Sequence, residues 1–112
     1  MFRNLIMVEM SFAQRILYAR RKVCELSIAK EQMIYRKYFI RASNNRSAQD
    51  QKFLENFEFE FSIKSNLIYM WNNYIREQEA KPEEEVAWPN AEEREEEFRS
   101  DWHLVQQIVY DD

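Results

Sequence analysis

The complete absence of glycine is the feature that most restricts the fold of this chain: none of its 112 residues is glycine. Average usage of about 7% would give about eight glycines in a chain of this length. Glycine-rich phosphate loops, dinucleotide-binding fingerprints and the tightest hairpin turns all need a residue that adopts a positive φ without steric cost. The sequence therefore excludes those motifs and favours long elements joined by few turns.

Two apolar stripes predict a long helix over residues 11–43. The first stripe recurs at helical spacings of three, four and seven: Phe12, Ile16, Ala19, Val23, Leu26, Met33 and Ile40. The second is offset around the helix and contains Ala13, Leu17, Cys24, Ile28, Tyr35 and Phe39. Two stripes indicate a helix that is covered on more than one side, by partners or by its own chain. Ser11 and Gln14 match a capping box, so residues 1–10 are either an apolar arm or an earlier start of the helix.

A second helix is predicted over residues 47–80. The run 43–47, Ser-Asn-Asn-Arg-Ser, predicts a turn in which asparagine forms a left-handed cap, and Ser47 with Asp50 predicts a new helix start. So short a connection places the two helices side by side and antiparallel. Residues 57–63 alternate at period two and could form a strand. We expect helix, because a lone strand would leave its backbone groups unpaired.

Two prolines mark a linker between the second helix and a third. Pro82 and Pro89 bound a linker over 81–89, and Asn90 with Glu93 repeats the cap pattern before a helix over 90–110. The third helix begins with acidic residues and continues with an apolar stripe that starts at Phe98. The sequence therefore predicts one all-α domain over 1–112: a long antiparallel helical hairpin, with a shorter acidic third helix packed across it.

The aromatic content predicts a protein-interaction surface. Aromatic residues make up 15% of the chain, and two long helices have too much surface to enclose so many rings. Aromatic side chains anchor protein interfaces. We expect two rings to be exposed: Phe59, which lies off the main face of its helix, and Trp88, which lies in the linker. The contact residues predicted from the second stripe and from these two rings are Leu17, Cys24, Ile28, Tyr35, Phe59 and Trp88. We expect an accessory or adaptor subunit of a larger assembly, or a self-associating helical protein, whose partner is another protein or a second copy.

The charge distribution supplies two alternative functions. Residues 1–46 hold ten Lys or Arg against three acids, whereas residues 47–112 hold six against seventeen. A basic first helix interleaved with aromatic rings is one pattern of nucleic-acid binding. The candidate contacts are Arg20, Arg21, Lys22, Arg36, Lys37 and Arg41. The acidic half instead suggests a small inhibitor that imitates nucleic acid, through Glu92, Glu93, Glu95 and Glu96.

Catalytic chemistry is not predicted. The single Cys24 and single His103 lie at opposite ends of the chain, and His103 is not part of the Glu-x-x-His pattern of a carboxylate metal site. We therefore expect no catalytic residues, no metal, no cofactor and no enzyme activity. No apolar run approaches the 18 residues of a membrane span. One cysteine favours an intracellular, most simply cytoplasmic, protein, and the arginine-rich start leaves a mitochondrial location as the alternative.

Overall fold

The described residues form three α-helices, as predicted. The structure, a computed structural model, describes residues 10–110, with side chains described as far as residue 102. The helices are α1 (Phe12–Ala42), α2 (Ala48–Ala80) and α3 (Ala91–Tyr110). Their ends fall within one residue of the predicted bounds. The predicted N-terminal arm lies outside the described residues apart from Met10.

Side-chain caps fix the start of α1 and α2. The Ser11 hydroxyl accepts the Gln14 backbone N–H at 3.2 Å, and the Gln14 side chain accepts the Ser11 N–H at 2.9 Å. Ser47 and Asp50 make the same reciprocal pair at 3.1 and 3.2 Å. Each box satisfies backbone donors that have no partner inside the helix. Both predicted capping pairs are therefore confirmed.

Asn90 and Glu93 begin α3 in a similar way. The Asn90 side-chain oxygen accepts the Glu93 backbone N–H at 3.1 Å, while its amide donates to the Glu93 carboxylate at 3.0 Å. The acidic side chain also lies at the positive end of the helix dipole. The third predicted helix start is confirmed as well.

The turn between α1 and α2 uses a different device from the one predicted. No described residue has a positive φ, so the predicted left-handed asparagine cap is wrong. Ser43 instead ends α1 in an extended conformation, with φ −87° and ψ 140°, and its N–H donates to the Ile40 carbonyl at 3.2 Å. Its hydroxyl accepts the Asn45 N–H at 3.2 Å and donates to the Asn45 carbonyl at 3.0 Å. The Ser43 hydroxyl thus stabilises the turn with two hydrogen bonds to Asn45, and no residue in the left-handed conformation is needed.

The first two helices pack as an antiparallel hairpin along their length. Their ion pairs run in reverse order: Arg20 contacts Glu79 at 3.1 Å, and Lys37 contacts Glu58 at 3.8 Å. The first stripe of α1 faces α2, with Ala19 fully buried against it. Residues 57–63 are helical, as expected. The buried apolar residues that α2 supplies to the hairpin and its neighbours are Phe57, Ile63, Leu67, Trp71, Tyr74 and Ile75.

The described contacts of helix α3 with α2 include a ring stack, an ion pair and a hydrogen bond from Arg94 to Asn66. Phe59 stacks on Trp102, with ring centroids 5.5 Å apart and planes inclined by 15°. Arg99 donates two hydrogen bonds to the Glu60 carboxylate, at 3.0 and 3.3 Å. Those bonds hold the pKa of Arg99 above its ordinary value, against the opposing effect of desolvation. The expectation that Phe59 is exposed is therefore wrong, because α3 covers the ring that the hairpin leaves outside its own contact.

Candidate interaction surface

The segment 81–90, here called the strap, folds back over the open end of the hairpin. Its Val86 side chain is buried in a cluster with Ala19, Trp71 and Tyr74. Arg15, only 6% exposed, donates one hydrogen bond to the Tyr74 hydroxyl at 2.7 Å and another to the Val86 carbonyl. The strap is therefore bound to both helices and is not a free linker.

Gln78 completes this attachment from α2. The side chain is 2% exposed, and its amide donates to the carbonyls of Lys81 and Glu84 at 3.0 and 2.8 Å. Its oxygen accepts from the Tyr74 hydroxyl and from the Val86 N–H, both at 3.4 Å. A buried amide is stable only when its donors and acceptor are paired, and here they are paired inside the chain. Gln78 therefore fixes the strap.

Trp88 lies within this same cluster and is half-buried. Its ring centroid is 5.2 Å from that of Tyr18, 5.4 Å from Trp71 and 5.2 Å from Tyr74, and the Arg15 guanidinium lies 5.6 Å from it. Edge-to-face rings at such distances attract one another beyond simple burial. The expectation that Trp88 is exposed is therefore wrong, because the strap turns its ring inward.

The second stripe of α1 is an apolar surface that the described part of the fold leaves open. All six of its residues are exposed: Ala13, Leu17, Cys24, Ile28, Tyr35 and Phe39. Leu17 is 61% exposed, Tyr35 60% and Phe39 77%. The stripe lies opposite the face that packs on α2. We call it the outer face of α1.

Four of the six predicted contact residues are together on the outer face: Leu17, Cys24, Ile28 and Tyr35. Phe59 and Trp88 are not with them, since one packs beneath α3 and the other beneath the strap. The most exposed rings on α1, Tyr38 and Phe39, were not among the predicted contact residues. Phe39 already belonged to the second stripe, and its position four residues after Tyr35 was the available signal.

The basic residues predicted for nucleic-acid contact do not share one face of α1. Successive residues of a helix point about 100° apart, so Arg20, Arg21 and Lys22 point in three directions. Four of the six contact acidic side chains at 3.1–3.9 Å: Arg20 with Glu79, Lys22 with Glu25, Arg36 with Asp50 and Lys37 with Glu58. Arg36 and Lys37 also lie over phenylalanine rings of α2. Nucleic-acid binding stays a prediction, and no single basic surface favours it.

No protein-family model, curated protein or solved structure matches this chain. Among the residues that the structure describes, no helix is both long and apolar enough to cross a membrane. The same residues contain no group of three His, Cys, Asp or Glu side chains placed to hold a metal ion.

Proposed function

We propose that this chain is a non-catalytic protein-interaction module, an accessory or self-associating subunit, that binds its partner through the outer face of α1. The observation that carries the proposal is the exposed apolar stripe from Ala13 to Phe39. Single exposed apolar residues are ordinary on a protein surface, but a stripe of six at helical spacings is typical of a binding site.

A partner on the outer face of α1 would remove partly exposed apolar side chains from water. Leu17, Ile28, Tyr35 and Phe39 are all about half exposed or more. Burial of such side chains contributes about 1.5–3 kcal/mol each when complete. Aromatic side chains near the centre of an interface supply most of its affinity. Tyr35 and Phe39, near the C-terminal end of α1, are therefore the expected anchors.

A photo-cross-linking experiment in cells tests this function. A benzophenone amino acid is introduced in place of Tyr35 and, as a matched control, in place of Tyr69. Tyr69 is an equally exposed tyrosine on α2, at 65% against 60% for Tyr35. We expect protein adducts at position 35 and few at position 69. Adding Ile28→Asp should remove the adducts, because a carboxylate in the centre of the face opposes burial.

The result that would refute the proposal is equally definite. If position 35 gives no adduct, or no more than position 69, the outer face of α1 is not a protein-binding surface. Adducts that disappear on nuclease treatment would instead support the nucleic-acid alternative, whose binding should weaken steeply with added salt.

A further inference from the structure

Two charged residues lie within the outer face without an ion-pair partner in the described part of the chain. Arg21 and Glu31 are exposed, and neither contacts an oppositely charged described side chain. They are ten residues apart on one helix, which places them about 15 Å apart along its axis. They cannot pair with each other in one chain. Both charges are exposed to water in the single chain and are available to pair with opposite charges of another molecule.

The outer face also follows a seven-residue repeat. One series of positions is Leu17, Cys24, Glu31 and Tyr38, and the interleaved series is Arg21, Ile28, Tyr35 and Ala42. Alternating steps of four and three between the two series are the pattern of a helix that packs along another helix. Polar residues within such a seam set the register and orientation of the partner helix. Arg21 and Glu31 are the polar residues of this seam.

We propose that the partner on the outer face is a second copy of this chain, with the two α1 helices antiparallel and Arg21 of each copy opposite Glu31 of the other. The twofold axis of this pair lies at the level of residue 26 along the helix. The same register therefore also places Leu17 opposite Tyr35 and Cys24 opposite Ile28. Apolar residues then face apolar residues, and the dimer contains two Arg21–Glu31 ion pairs, one on each side of the twofold axis. A parallel pair would instead place Arg21 against Arg21 and Glu31 against Glu31, which is unfavourable. The proposal rests on the proposed function of the outer face.

A surface depression beside the face fits the same arrangement. It has a volume of about 590 Å³ and is lined in part by Phe12, Ala13, Ile16 and Leu17. In the antiparallel register, Tyr38 of the second copy lies level with residue 14 and on the side of the seam where this depression opens. Tyr38 is 72% exposed in the single chain. The second copy therefore supplies an aromatic ring at each end of the interface, next to a depression lined by apolar residues and by the Arg20–Glu79 ion pair.

Charge-reversed variants of the full chain test the pairing by sedimentation equilibrium. Arg21→Glu and Glu31→Arg should each weaken self-association at least tenfold, because each creates like charges at two contacts. An equimolar mixture of the two variants should associate as heterodimers, since every contact is then again between opposite charges. Arg46→Glu, in the exposed turn between α1 and α2, is the control and should leave association unchanged. Circular dichroism confirms that each variant is helical.

Disulfide formation tests the direction and register. In a Cys24→Ser background, chains carrying Leu17→Cys are mixed with chains carrying Tyr35→Cys and oxidised. The antiparallel register predicts mixed disulfides, because identical positions 17 would lie about 27 Å apart along the helix axis. Predominant disulfides between identical chains would show a parallel pair and overturn the proposal.

The two levels of inference fail separately. A wild-type chain that stays monomeric while the benzophenone at position 35 captures a different protein overturns the second copy but supports the proposed function. A chain without adducts at position 35 overturns both. Association that charge reversal does not weaken, or that mixing does not restore, overturns the proposed pairing of Arg21 with Glu31.

Discussion

Replacing Arg15 by methionine tests whether buried hydrogen bonds hold the strap on the hairpin. Methionine keeps a long unbranched stem, so the change removes the donors without opening a large cavity. The Val86 carbonyl loses a buried donor at a cost of about 1–3 kcal/mol, and loss of the bond to Tyr74 adds about 1 kcal/mol. We expect the free energy of unfolding to fall by about 2–4 kcal/mol. For a chain of this size the melting temperature should fall by roughly 10–20 °C.

Urea denaturation measures this loss by two signals. Tryptophan fluorescence reports on the cluster, because Trp71 and Trp88 lie in it, and far-UV circular dichroism reports on the helices. The control is Arg20→Met, since Arg20 pairs with Glu79 at 3.1 Å on the exposed surface of the same helix. Exposed ion pairs contribute less than about 1 kcal/mol. If Arg15→Met lowers the free energy of unfolding no more than Arg20→Met does, the hydrogen bonds of Arg15 do not stabilise the fold and the prediction is wrong.

The same variant should also expose the strap to proteolysis. A protease that cleaves after glutamate has three adjacent sites at residues 83–85. We expect Arg15→Met to be cut there several-fold faster than the wild-type chain, because local opening of an attached segment controls its cleavage. An unchanged rate would show that the strap stays attached without the hydrogen bonds of Arg15.

Three further substitutions test other contacts. Phe59→Ala removes the ring that stacks on Trp102, so hydrogen exchange in α3 should accelerate while α1 stays protected; the exposed Tyr69→Ala should change neither. Ala19→Leu places a larger side chain at a fully buried helix contact and should lower the free energy of unfolding by about 1–3 kcal/mol, measured by urea denaturation. Ser47→Ala removes the capping hydroxyl of α2 and should cost about 1 kcal/mol in the same assay, whereas Ser47→Asp should retain most of it. A neutral result for any of the three would contradict the contact described.

Local signals account for the part of the fold that the sequence predicted. Helix starts at Ser11, Ser47 and Asn90 were predictable because a cap depends on residues three positions apart. The open outer face of α1 was likewise visible as a second stripe. Both features are properties of one helix and need no knowledge of where distant residues lie.

Long-range contacts account for the part that could not be predicted. Arg15 finds its partners 59 and 71 residues further along, and its burial depends on how the strap returns over the hairpin. Trp88 was expected to be exposed because it lies between a proline and an acidic run. The burial of Val86 and its hydrogen bond to Gln78 instead hold the strap where the Trp88 ring packs against the hairpin. In retrospect two clues were present: Arg15 shares the α2-facing side of α1 with Ala19, and Val86 is an apolar residue in an otherwise acidic segment.

With the strap in place, α1 and α2 are held together at both ends of the hairpin. The turn over 43–47 joins α1 to α2 at one end, and Arg15 with Gln78 ties the strap across the other. A chain divided within the turn would still have its two halves clasped at the far end, whereas a chain divided within the strap would lose that clasp. Two fragments produced separately, with the break near residue 45, should therefore reassemble. The peptide connection in the turn is dispensable for assembly, whereas the connection over 81–90 is not.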